Sequence, residues 1–93
     1  MIRSFRDKRT ANVAAGIAGK GFPASLLRAA ERKLFMIEHA AALADLRSPP
    51  GNRLEALKGD RAGQYSIRIN DQFRVCFRWL DGHAEDVEIA DYH

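Results

Sequence analysis

Three short stretches hold residue types that can move protons and neutralise phosphate: Lys58-Gly59-Asp60-Arg61, Arg74, and the tail Asp91-Tyr92-His93. Breaking an RNA phosphodiester through its own 2′-hydroxyl needs a base for that hydroxyl and an acid for the leaving 5′-oxygen. It also needs cations for the charge that builds on the non-bridging oxygens. Asp and His supply proton transfer, Lys and Arg supply charge, and Tyr supplies a surface on which a base can stack. Each stretch also has a plainer reading. Lys58 to Arg61 fits a simple turn, Arg74 fits a strand residue paired with an acidic neighbour, and the tail fits a frayed chain end.

Other candidate chemistry is weaker. The loop Gly16-Ile17-Ala18-Gly19-Lys20-Gly21 lacks the Gly-x4-Gly-Lys spacing of a phosphate-binding loop, no buried strand precedes it, and no Ser or Thr follows Lys20. His39, His83, His93 and Cys76 have no paired ligand spacing, so neither a metal nor any other cofactor is expected.

Charge is distributed unevenly. Net charge is only +3, yet Arg47, Arg53, Lys58, Arg61, Arg68, Arg74 and Arg78 meet just Glu55, Asp60 and Asp71 over residues 47–78. Residues 81–91 then carry Asp81, Glu85, Asp86, Glu88 and Asp91 with no Lys or Arg. Eleven of the fifteen cations are Arg, whose planar fork suits phosphate or carboxylate. A basic middle fits a polyanion partner, and it fits equally a solvated surface of ordinary ion pairs.

The elements that must position these groups follow from periodicity. Residues 2–5 alternate like a short first strand, and residues 7–15 fit a weak helix. Pro23 suits the first turn of a second helix, expected over about 24–46. Leu27, Ala30, Leu34, Ile37 and Ala41 form its apolar stripe. The helix must stop before Ser48-Pro49-Pro50-Gly51. Everything after Asn52 is expected as strand. Leu54 to Leu57 alternates; Tyr65, Ile67 and Ile69 share one face opposite Gln64, Ser66 and Arg68. Phe73, Val75, Phe77 and Trp79 share a face opposite Arg74, Cys76 and Arg78. Asn70-Asp71 and Asp81-Gly82 are two-residue turn signals. The long helix should cover the apolar face and leave a basic solvent face bearing Arg68, Arg74 and Arg78.

Ninety-three residues make one domain with one core, an α+β layer pair whose functional groups lie on or beside the sheet. A single cysteine permits no internal disulfide, no apolar run approaches a membrane span, and the first residues lack a signal-peptide core. A cytoplasmic protein without membrane association is expected.

Three blocks carry a resemblance across nearly the whole chain: residues 47–61 (RSPPGNRLEALKGDR), 64–77 (QYSIRINDQFRVCF) and 87–93 (VEIADYH), with a similar opening at 1–5. They resemble the HigB-type toxins of the RelE/ParE superfamily, found in type II toxin–antitoxin systems. The resemblance implies a RelE-like β-α-α-β-β-β-β fold and a metal-independent endoribonuclease that cuts mRNA in the A site of the 70S ribosome. It also implies a HigA-type helix-turn-helix antitoxin, with operator DNA bound only through the antitoxin complex. By position, Lys58 and Arg74 would hold the scissile phosphate, Asp91 and His93 would transfer protons, and Tyr92 would orient or stack on the nucleotide. Glu55 stands where some relatives carry a histidine and is a secondary candidate with Arg61. Arg53, Arg68 and Arg78 are the expected RNA- or ribosome-binding residues. Two rivals remain at this point: a ParE-like toxin that poisons DNA gyrase instead of cutting RNA, and a non-catalytic partner kept for operon control.

Overall fold

The computed structural model describes residues 1–91; Tyr92 and His93 lie outside the described residues. Helix α1 is Lys8–Ala14, and Asp7 caps it by accepting a hydrogen bond from the Thr10 amide at 2.7 Å. Helix α2 is Leu27–His39, entered through a 3-10 turn at Ala24–Leu26 that follows Pro23. Four strands complete the fold: β1 Glu55–Ala56, β2 Gln64–Arg68, β3 Phe73–Leu80 and β4 His83–Asp91. They form one antiparallel meander in chain order, β1-β2-β3-β4.

The expected helix over 24–46 is shorter and broken. It ends at His39 because Asp45 Oδ2 accepts the Ala41 and Ala42 amides at 2.9 and 3.0 Å, which starts a separate 3-10 turn at Leu43–Arg47. Ala30, Leu34 and Ile37 are buried as the stripe requires. Past the break, Ala40 takes the buried place and Ala41 is exposed. The apolar face of the sheet, with Ile67, Val75, Phe77 and Ile89, packs in one cluster with Val13 from α1 and this stripe from α2.

Residues 2–5 form no separate strand. They run parallel to β4 and touch it at two isolated bridges, Ile2 to Ala84 and Phe5 to Val87. The reason lies in β4. Its register slips between Cys76 and Arg78, so that Asp86 and Val87 together face Phe77. Asp86 takes a positive φ of 53° there, and its amide donates to Ser4 Oγ at 2.9 Å. This bulge divides the edge ladder into two parts.

The turns also divide into expected and unexpected. Leu80 pairs with His83 across Asp81 (φ 51°) and Gly82 (φ 80°), the positive-φ pair of a two-residue hairpin. The β2–β3 connection is longer than two residues: Arg68 pairs with Arg74, and Asn70 Oδ1 closes the loop by accepting the Gln72 and Phe73 amides. Between β1 and β2 the chain is not all strand. Gly59–Arg61 is a 3-10 turn opened by Gly59 at φ 64°.

Candidate functional site

The register places one row of side chains across the sheet, opposite the helices: Glu55 on β1, Ser66 on β2, Cys76 on β3 and Glu88 on β4. The two middle residues are small and fully buried, with no solvent exposure at either. The two edge residues are carboxylates. Small residues in the middle of the row leave a trough, and arginine side chains fill it.

Arg74 enters from the neighbouring row. Its Nη1 donates to Ser66 Oγ at 3.0 Å and lies 3.5 Å from Glu55 Oε1. Its side chain is only 20% exposed, so its aliphatic stem covers the strand surface while its charge stays near the rim. Arg61 enters from the β1–β2 turn. Its Nη1 donates to Glu88 Oε1 at 3.0 Å and to Gln64 Oε1 at 3.1 Å. Arg6, from the segment along β4, approaches the same Glu88 oxygen at 3.9 Å.

Glu55, Ala56, Leu57, Lys58 and Arg61 line an open cleft of about 330 Å³ at this end of the sheet. Lys58 is exposed and extended (φ −125°, ψ 177°) just before Gly59, whose left-handed backbone a side chain would strain. The turn thus places an ammonium and a guanidinium on one cleft, with Glu55 linking that cleft to Arg74. Two cations and a carboxylate around an open cleft can bind a phosphate group and offer one proton-accepting oxygen beside it.

The other expected residues fall elsewhere. Asp91 ends β4 opposite Phe73, whereas Arg74 pairs with Ala90, so strand alternation sets Asp91 and Arg74 on opposite sides of the pleat. Asp91 is exposed, and its Oδ2 accepts from Gln72 Nε2 at 3.2 Å. Arg68 is ion-paired with the exposed Asp71 in the β2–β3 loop, and Arg78 with Asp86 at the bulge at 3.4 Å. Both lie on the arginine side of the sheet. Arg53 is exposed in a left-handed conformation after the Pro50–Asn52 turn. The expected basic solvent face is therefore interleaved with acids, and Ser66 on it is buried rather than wet.

Glu88, Gln64 and Ser66 are the site residues that the reading of the sequence did not single out. Alternation along β4 was the available signal for Glu88, two positions from Ala90 and level with Cys76. Among the described residues, no group of three or more His, Cys, Asp or Glu side chains is arranged to hold a metal ion, and no helix is long and apolar enough to cross a membrane.

One basic residue lies away from this face. Lys33 of α2 donates to Asn52 Oδ1 at 2.5 Å, and Asn52 is fully buried with its amide nitrogen on the carbonyls of Leu46 and Ser48. Burial first, then the charges of Arg32 and Arg68, hold the Lys33 ammonium below its ordinary 10.5.

Comparison with known proteins places this arrangement. The toxin HigB-1 of Vibrio cholerae is 50% identical over 62 residues, a match covering 67% of this chain and 65% of that toxin; the chain thus spans just under two thirds of that relative's length. An endoribonuclease HigB of Proteus vulgaris is 30% identical over 93 residues, all of both chains. Among solved structures, a chain of the YoeB-YefM complex from Staphylococcus aureus superposes with a TM-score of 0.62 at 17% identity, over 100% of this chain and 98% of that one, and so shares the fold. A family model described as the RelE-like toxin HigB of type II toxin–antitoxin systems matches residues 3–93. Helices on one side of a four-strand meander, a match running through nearly the whole chain and a full-length relative agree: this chain belongs to the HigB-like toxin family.

Proposed function

We propose that this chain is the toxin of a type II toxin–antitoxin pair and an endoribonuclease that cuts mRNA in the A site of the 70S ribosome, acting in the cytoplasm. The observation that carries this reading is the cleft shared by Glu55, Lys58 and Arg61, with Arg74 reaching Glu55 from the sheet. Support also comes from the name of the Proteus vulgaris relative, an endoribonuclease.

In this reading Lys58 and Arg74 hold the scissile phosphate and neutralise the charge that grows on its non-bridging oxygens. The 2′-oxygen attacks phosphorus as its proton leaves to a base, and the bond to the 5′-oxygen breaks as an acid delivers a proton there. His93 serves this proton transfer and Tyr92 orients the nucleotide by stacking. Asp91, on the other side of the pleat from Arg74, is left out of the transfer. Glu55 and Arg61 assist from the cleft, and no metal or other cofactor takes part. Arg53, Arg68 and Arg78 bind the RNA or ribosome backbone. The partner that restrains the toxin is a HigA-type helix-turn-helix antitoxin, through which alone operator DNA is bound. A second Staphylococcus aureus structure that superposes equally well is a heterotetrameric YoeB-YefM toxin-antitoxin complex.

The test is cleavage of mRNA on purified, programmed 70S ribosomes. The intact protein should cut, and a variant lacking His93 should not, although it still co-purifies with the antitoxin. Normal cutting by that variant would remove His93 from the mechanism. Intact mRNA together with DNA damage on expression would replace the nuclease with a gyrase poison.

A further inference from the structure

The cleft's Arg61 is not held by the turn that carries it. Gly59–Arg61 is one 3-10 turn, and a long side chain leaving such a turn has many rotamers open to it. Yet its guanidinium is held by two acceptors on two different strands, Gln64 Oε1 on β2 at 3.1 Å and Glu88 Oε1 on β4 at 3.0 Å. Gln64 is buried, and the Glu88 side chain is only 20% exposed. A charged hydrogen bond this sheltered from water is stronger and more directional than an exposed pair.

Glu88 stands on the far edge of the four-residue row, across Ser66 and Cys76 from Glu55. Arg61 spans from Gln64 on β2 to Glu88 on β4, and the row residue on the strand between them is the small, fully buried Cys76. A bulkier residue at position 76 would crowd that span. Arg6 also approaches Glu88, at 3.9 Å, but its own side chain is 58% exposed and solvent screens the pair.

We propose that Glu88 is a positioning residue for RNA cleavage: it fixes the Arg61 guanidinium at the cleft lined by Lys58 and Glu55, where Arg61 binds a phosphate of the RNA. This rests on the nuclease reading. Glu88 itself touches no substrate; it acts by removing the freedom of Arg61, so that the cation need not be ordered when the RNA arrives.

The experiment is single-turnover and steady-state cleavage on programmed ribosomes with Arg61→Ala, Glu88→Ala, the double variant, and the isosteric Glu88→Gln. Glu88→Ala should lower kcat by roughly tenfold to a hundredfold, as misplacing a catalytic-site cation does. The KM for ribosomes should change by less than about twofold, because the other cations still bind RNA. Glu88→Gln keeps an acceptor oxygen and should recover most of the loss. The double variant should cut no more slowly than Arg61→Ala, since both changes remove one function. Arg6→Ala, which takes away the other cation on the same carboxylate, should cut normally.

Full activity in Glu88→Ala would overturn the assignment. So would losses that multiply in the double variant, or an Arg6→Ala defect equal to that of Glu88→Ala. If Glu88→Ala melts below assay temperature, the comparison of Glu88→Gln with and without Arg61→Ala decides the matter by the same rule. Failure of the intact protein to cut would instead defeat the nuclease reading, which separates the two.

Discussion

On the helix side of the sheet, Ile67, Val75, Phe77 and Ile89 are sealed by apolar side chains from α1 and α2. On the other side, Ser66 and Cys76 are just as dry, but the cover is made of Arg61 and Arg74 with carboxylates at both edges. The first cover is held by the hydrophobic effect, which has no direction and tolerates some repacking. The second is held by hydrogen bonds of fixed geometry, which define where each charge sits. One side stores stability; the other aims charge at a cleft. A charged cover can also exchange its carboxylates for phosphates, whereas an apolar one has nothing to exchange.

Substitutions on each side should therefore fail differently. The largest effect is expected at Phe77→Ala, where deleting a fully buried ring should cost about 3–5 kcal/mol of unfolding free energy in denaturant titration. Arg74→Ala comes next: cleavage should fall on the order of a hundredfold to a thousandfold, while the denaturation midpoint moves little. A midpoint shift as large as that of Phe77→Ala would make the arginine cover a stability device after all. Cys76→Leu is the sharper case, because it adds apolar bulk beneath the arginines. It should cost about 1–3 kcal/mol by overpacking and also slow cleavage, since the guanidiniums must lift.

The smallest effect concerns Lys33, on the helix side. Its folded-state pKa lies below the ordinary 10.5, so between those two values the unfolded chain binds more protons than the folded one. Stability contributed by this group therefore rises with pH across that window and is unchanged below it. Urea titrations from neutral pH upward should show the natural protein gaining on Lys33→Met as pH approaches 10.5. A constant gap would show that Lys33 is not perturbed.

The same contrast explains what the sequence made legible. Alternation in residues 64–69 and 73–79 sorted the apolar face correctly, because period-2 patterning reports burial against other apolar groups. It also marked Asp81-Gly82 as a two-residue hairpin. It misread Ser66 as solvent-facing, since a small polar residue looks alike under water or under an arginine stem. The end of α2 was hidden for a similar reason: the stop signal is Asp45, whose carboxylate captures two amides beyond His39, and no local pattern announces that. Family resemblance named Lys58 and Arg74. Lys58 follows Leu57, whose amide bonds to Gln64, whereas Arg74 pairs with Arg68 at the other end of β2; only the Arg74 side chain, reaching Glu55, connects the two. Glu88 escaped notice because its role depends on a residue 27 positions away.

The segment laid along β4 has a consequence for synthesis. Its amides and carbonyls bond to Ala84 and Val87, some eighty residues later in the chain. Contacts that distant close late, because a long loop must first be brought together. While a ribosome is still making residues before 83, the opening segment has no strand to lie on and Arg61 has no Glu88 to bind. Arg74 can meet Ser66 and Glu55 before that, but Arg61's half of the arginine cover comes into being only as the last strand docks.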